Sequence, residues 1–88
     1  MPASSEVTVE LPGSTDLHAR PAADFVRTAM GFASDISVRA DGREANAKSM
    51  TAVLALGARG GTALALHAEG DDAAAAVDAL AGCVTTLE

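Results

Sequence analysis

His18 is the residue whose surroundings best fit chemistry. It lies between the loop Pro12-Gly13-Ser14-Thr15-Asp16 and a helical pattern that opens at Ala19. Backbone N–H groups in the first turn of a helix lack intrahelical partners and carry the positive end of the helix dipole. Both features favour an anion placed there. Arg20, two residues on, supplies a guanidinium that can fork onto phosphate oxygens, and Pro21 stiffens the turn that sets the geometry. A neutral imidazole is a nucleophile, and the dipole and Arg20 both disfavour imidazolium. The segment therefore suits a transient phosphohistidine, because phosphoryl transfer depends mainly on positioning and charge stabilisation. On spacing alone, the same residues also fit a histidine that caps a helix beside a solvated arginine.

Other groups that could do chemistry read more plainly. Ser49 stands just before an apolar helical stripe and is first of all an N-cap, its hydroxyl accepting from a backbone N–H. The lone Cys83 has no basic neighbour in sequence to lower its pKa and reads as a small buried hydrophobe. His67 points away from Leu64 and Leu66 in an alternating strand and reads as a solvated surface residue. No His, Cys and carboxylate set stands at ligand spacing, so no metal is expected. Gly60-Gly61 lacks the Lys-Ser/Thr of a nucleotide loop, so neither ATP nor any other cofactor is expected.

The elements that must position His18 follow from periodicity. Glu6 to Leu11 alternates, with Val7, Val9 and Leu11 on one face, as a half-buried strand does. Ala22, Phe25, Val26 and Ala29 form one face of a helix that opens at Ala19, with Asp24, Arg27 and Thr28 outward and Gly31 as its stop. Pro21 is tolerable only in the first turn, which pins the helix start close to His18. Ile36, Val38 and Ala40 alternate again, and Asp41-Gly42 predicts a two-residue hairpin turn into a return strand from Arg43 to Ala47. In that register Ala40 faces Arg43 and Val38 faces Ala45.

Met50, Val53 and Leu54 predict a second helix stopped by Gly57. Thr62 to Ala68 is a further alternating strand. Asp71 and Asp72 are placed to cap a last helix with the stripe Val77, Leu80, Ala81 and Val84. The order is β-α-β-β-α-β-α, and three such helices need one sheet face to bury against, so the chain reads as two layers with the other sheet face wet.

Composition sets the outer bounds. The 88 residues predict a single domain over 1–88, with 1–5 as a flexible tail, and a thin Ala-rich core holding only two aromatics, Phe25 and Phe32. Twelve acids against six basic residues give a formal charge of −6. That argues against nucleic acid, which needs clustered cations, and against a polybasic membrane anchor. The absence of a leader pattern or an apolar span makes the cytoplasm the expected compartment and gives no expectation of membrane insertion.

Leu17-His18-Ala19-Arg20-Pro21-Ala22-Ala23, with Phe25-Val26 after it, closely resembles the active-site segment of HPr. HPr is the phosphocarrier family of the bacterial phosphoenolpyruvate:sugar phosphotransferase system. Ala47-Lys48-Ser49-Met50, leading to Leu56-Gly57, resembles the family's second signature, and the likeness covers essentially the whole chain. The resemblance implies an α+β two-layer open-faced sandwich, a four-stranded antiparallel sheet with three helices on one face. It implies that His18 is the phosphorylated residue and that Arg20 pairs with the phosphoryl group. Ser49 matches a serine modified by HPr kinase/phosphorylase. The implied donor is phosphorylated Enzyme I and the implied acceptors are sugar-specific IIA domains, met by a carrier without turnover of its own and expected as a monomer.

Arg20, Arg27 and Lys48, half of the basic residues, read as a basic spot near the starts of two helices that could orient a partner. Met50 matches an apolar partner contact of the family, although its own pattern fits a core position equally well. Two departures stand out. Asp16 takes the place of a usual glycine, where a positive φ or a carboxylate near the phosphoryl group would matter, and Thr51 takes the place of an often larger apolar contact. A second reading keeps the fold and makes the chain an HPr-like regulatory paralogue. It would then act in a nitrogen-related or dihydroxyacetone-kinase relay, or by protein contact.

Overall fold

The computed structural model describes residues 3–86. Its elements are β1 (Ser4–Glu10), α1 (Ala19–Met30), β2 (Asp35–Ala40), β3 (Arg43–Asn46), α2 (Met50–Ala55), β4 (Ala63–Glu69) and α3 (Ala73–Thr86). The four strands form one sheet in the order β1-β4-β2-β3, with every neighbouring pair antiparallel. This is the two-layer α+β arrangement that the periodicities predict.

Alternation decides which sheet face is covered. Leu64, Leu66 and Ala68 of β4, Ile36, Val38 and Ala40 of β2, and Ala45 of β3 are all buried on one face. The helices cover that face with Ala22, Phe25, Val26 and Ala29 from α1, Val53 from α2, and Ala73, Ala76, Val77, Leu80 and Val84 from α3. Phe25 is the largest fully buried side chain, so the core is built mostly from small residues packed close together. The hairpin takes the predicted register, Val38 opposite Ala45 and Ala40 opposite Arg43. Asp41 and Gly42 both adopt positive φ, 52° and 79°, which is the turn whose twist matches the strands it joins.

Several local expectations need correction. The first strand opens at Ser4, which pairs with Glu69, and Ala3 accepts from the Gly70 amide at 2.8 Å. Residues 3–5 are therefore held by the sheet, and the remainder of the expected tail, residues 1 and 2, lies outside the described residues. Leu54 is 39 % exposed, and in so short a helix Val53 is the one fully buried residue. Asp72 does not act on its own helix alone. Its carboxylate reaches across the molecule, accepting from the amides of Ala33 at 2.8 Å and Ser34 at 2.9 Å and from the buried Ser34 hydroxyl.

On the open sheet face His67 is half-buried rather than freely solvated. Its Nε2 lies 3.0 Å from Glu69, and its Nδ1 lies 3.4 Å from Glu6, the residue opposite it on β1. The hydrogen bond to Glu69 is the main cause of a raised His67 pKa.

The Asp72 carboxyl is held below its ordinary 3.8, first by the Ser34 hydroxyl and then by the Ala33 amide. A depressed carboxyl stabilises the fold above its unfolded pKa and loses that contribution as pH falls through the folded value. Asp72→Ala is expected to lower the urea midpoint by a constant amount above about pH 4. The gap between wild type and variant should narrow as the pH is taken lower, which a series of urea titrations would read directly.

Candidate functional site

The site begins with Leu17. Its side chain is buried at 2 % exposure, and its amide donates to the Ala58 carbonyl at 2.8 Å, so the chain is pinned one residue before His18. His18 is the N-cap of α1, with extended backbone at φ −102° and ψ −163°, and its carbonyl accepts the first helical bond from Ala22 at 2.8 Å. Pro21 lies in the first turn and is buried, as the sequence requires. The His18 residue is exposed, and its imidazole makes no cap bond to its own helix. Within that first turn the amides of Ala19 and Arg20 are the kind of donors that helix geometry leaves without partners. Among the described residues they make no hydrogen bond, and neither does the Arg20 guanidinium.

Two grooves meet at this residue. One, of about 720 Å³, runs between α1 and α3 and is lined by His18, Arg20, Asp24, Arg27, Cys83 and Thr86 among others. The other, of about 390 Å³, lies toward the end of α2 and is lined by Asp16, Leu17, His18, Leu54, Gly57, Ala58 and Arg59. His18 is the residue common to both. Cys83 is half-buried, packed on the core at one side and open to the first groove at the other, instead of fully buried.

The remaining residues named from sequence fall in different places. Arg27 shares the groove of His18 but sits in the last turn of α1, not near its start, and pairs with Asp24 at 3.4 Å. That pair is largely exposed and contributes little to stability. Lys48 is not brought to His18. Its Nζ donates to the Phe32 carbonyl at 2.7 Å, just past the end of α1, where a cation complements the helix dipole. Met50 opens α2 and is half-buried against the core, so both of its readings find some support. Ser49 is the N-cap of α2, its Oγ accepting from the Ala52 amide at 3.2 Å.

Asp16 answers the first concern raised by its position, while the residue does line the groove that His18 shares. It does not adopt positive φ. Its carboxylate accepts from the Gly60 amide at 2.8 Å and so braces the loop before His18 against the loop before β4. Gly61 donates to the Leu11 carbonyl at 2.9 Å in the same seam. A side chain at Gly60 would run into the Gly13 and Pro12 carbonyls, so this close approach requires glycine. The sequence reading missed both this brace and Arg59. The available signal was the preference of aspartate for nearby backbone amides, but its partner lies 44 residues away.

Known proteins resemble the chain along nearly all of its length. The family model described as "PTS HPr component phosphorylation site" matches residues 4–86. Phosphocarrier protein HPr of Haemophilus influenzae is 42% identical over 80 residues, covering 91% of this chain and 94% of that protein. HPr-like protein Crh of Bacillus subtilis is 42% identical over 76 residues, covering 86% and 89%. The crystal structure of a phosphocarrier protein HPr from Bacillus anthracis superimposes with a TM-score of 0.88 at 38% identity, covering 93% of this chain and 98% of that one.

Asp16→Ala is expected to free the Gly60 amide, whose hydrogen exchange should accelerate, with a stability loss of about 1 kcal/mol. Asp16→Asn keeps an acceptor oxygen and should retain most of the protection. Amide exchange followed by NMR distinguishes the two, and an unchanged Gly60 rate in the alanine variant would rule out the brace.

Proposed function

Since this chain belongs to the HPr family, which includes the phosphocarrier proteins of the phosphoenolpyruvate:sugar phosphotransferase system, we propose that His18 is the residue that takes up and hands on the phosphoryl group. The observation that carries this reading is an exposed imidazole at the N-cap of α1, without a side-chain cap bond, beside the Arg20 guanidinium in an open groove. Enzyme I is the donor and IIA domains of sugar permeases are the acceptors. The relay takes place in the cytoplasm, in keeping with a described chain in which no helix is long and apolar enough to cross a membrane.

The step needs no co-reactant. The lone pair of a neutral His18 ring nitrogen attacks phosphorus, a phosphorus–nitrogen bond forms, and the bond from phosphorus to the donor breaks with its electron pair returning to the donor. The three phosphoryl oxygens travel with the phosphorus, and the first-turn amides and Arg20 meet their charge. The same step in reverse loads the acceptor, so the carrier returns to its starting state without turnover of its own. An exposed ring on a pinned backbone serves this traffic, because two different partners must reach it in succession through small, short-lived interfaces. Arg27, in the same groove, and Met50, at the head of α2, are the further partner contacts. Lys48 contributes by holding the end of α1 near the start of α2.

Ser49 is the regulatory position, a substrate for HPr kinase/phosphorylase where that enzyme is present. As an N-cap it can carry phosphate at the positive end of a helix without unfolding it, while adding strong negative charge. That charge would repel an acidic or phosphorylated partner.

Incubation with phosphoenolpyruvate and Enzyme I is expected to add one acid-labile, base-stable phosphate at His18, seen by intact mass. A persistent lack of that mass shift with a cognate Enzyme I would remove the reading. Arg20→Ala should slow the transfer by about tenfold or more, the value of a lost charge-assisted bond, with an unchanged thermal midpoint. Ser49→Asp should weaken Enzyme I binding in a salt-dependent way, and titrations at two ionic strengths giving identical wild-type affinity would exclude an electrostatic switch there.

A further inference from the structure

All six basic side chains of this protein lie among the described residues, and three of them are already engaged. Arg27 pairs with Asp24, Arg39 with Glu44 at 2.8 Å, and Lys48 with the Phe32 carbonyl. The other three, Arg20, Arg43 and Arg59, make no side-chain hydrogen bond or ion pair among the described residues. Arg43 opens the edge strand β3. Arg20 and Arg59 line the two grooves that meet at His18, one on each side. In a chain with twelve acids, two arginines without carboxylate partners beside one exposed imidazole form a selective arrangement.

The backbone that carries Arg59 is held firmly. Ala58, before it, accepts from the Leu17 amide, and Gly60, after it, donates to the Asp16 carboxylate. Arg59 itself donates from its amide to Thr62 Oγ1 at 3.3 Å and accepts from the Thr62 amide at 3.0 Å. The root of the side chain is thus fixed against the very loop that presents His18, while the guanidinium is left exposed over a groove that His18 also lines. The acid that lines that groove, Asp16, accepts from the Gly60 amide and makes no ion pair with Arg59 among the described residues. A fixed root and an unengaged head lower the cost of placing the fork on an anion.

We propose that Arg59 is a second cation for the transferring phosphoryl group, meeting its oxygens from the α2 side while Arg20 meets them from the α1 side. This deepens the carrier reading above and rests on His18 being the acceptor. During transfer the phosphorus–donor bond breaks as the phosphorus–nitrogen bond to His18 forms, and negative charge is spread over three equatorial oxygens. One guanidinium cannot face all three, and a second on the opposite flank meets those turned away from the first. Arg59 adds no proton and takes none, so the balance of the step is unaltered.

The test is a double-variant comparison in single-turnover transfer from phosphorylated Enzyme I, with the thermal midpoint measured in parallel. Arg59→Ala is expected to slow transfer about tenfold, the loss of one charge-assisted contact, and Arg59→Lys should recover part of the rate. The Arg20→Ala, Arg59→Ala double variant should depart from the product of the single effects, because both cations act on one group. An Arg59→Ala protein that is phosphorylated at the wild-type rate overturns the proposal while leaving the carrier reading intact. A slowed variant that the lysine fails to improve, or a double variant that is simply the product of the singles, also overturns it. Failure of wild-type protein to take phosphate overturns both readings together. If alanine lowers the thermal midpoint, Arg59→Gln replaces it in the same comparison, with the same outcomes deciding.

Discussion

Leu17 lies at the base of the site. Its burial and its bond to the Ala58 carbonyl fix the chain one residue before His18, and the helix start fixes it at His18 itself, whose carbonyl accepts from Ala22. Between two such restraints the backbone at His18 is held, and the residue on it is exposed with no cap bond to its own helix. A buried leucine stands on one side and a first turn closed over Pro21 and Ala22 on the other. A looser loop would let the ring fold back and satisfy itself on the helix end. Here the backbone cost of presenting it is met by the core rather than by the site.

Much of this was legible in the sequence because the decisive signals are local. The alternation of Val7 and Val9, the helical stripe from Ala22 to Ala29, and the Asp41-Gly42 turn each depend on residues within one element, and each takes the form predicted. Pro21 located the start of α1 to within a turn, close to His18, since its ring excludes it from later turns. The arrangement of His18 and Arg20 at that start followed with it. The likeness to HPr then supplied what local patterns cannot, namely one antiparallel four-stranded sheet with the three helices on one face.

What stayed hidden is non-local. Glu10 pairs with Ala63, so the loops that follow β1 and precede β4 must lie side by side. Only that pairing brings Asp16 to Gly60 and Arg59 to the flank of His18. Asp72 was read as a cap for its own helix, yet its best donors are the amides of Ala33 and Ser34, more than thirty-five residues away. Lys48, expected in a basic spot near the starts of two helices, instead donates to the carbonyl of Phe32 in a partly buried bond. In each case a short polar or charged side chain was offered a backbone group from another element, and sequence spacing carries no record of such an offer.

The same geometry reconciles a formal charge of −6 with the anion site proposed at His18. Several of the acids, Glu6, Glu10, Asp35, Glu44 and Glu69, stand at exposed positions on the strands, and three of them are drawn into pairs with His67 and Arg39. At physiological ionic strength, charges farther apart than about 8 Å are largely screened. On the function proposed above, a phosphoryl group at His18 would therefore respond to Arg20, Arg59 and the first-turn amides more than to the charges of the sheet. Net charge governs solubility and approach, while the cations that line the grooves at His18 would govern such a transfer. A protein can thus be acidic as a whole and still present two unengaged guanidinium groups, Arg20 and Arg59, in the grooves around one exposed imidazole, with Arg43 apart on the edge strand.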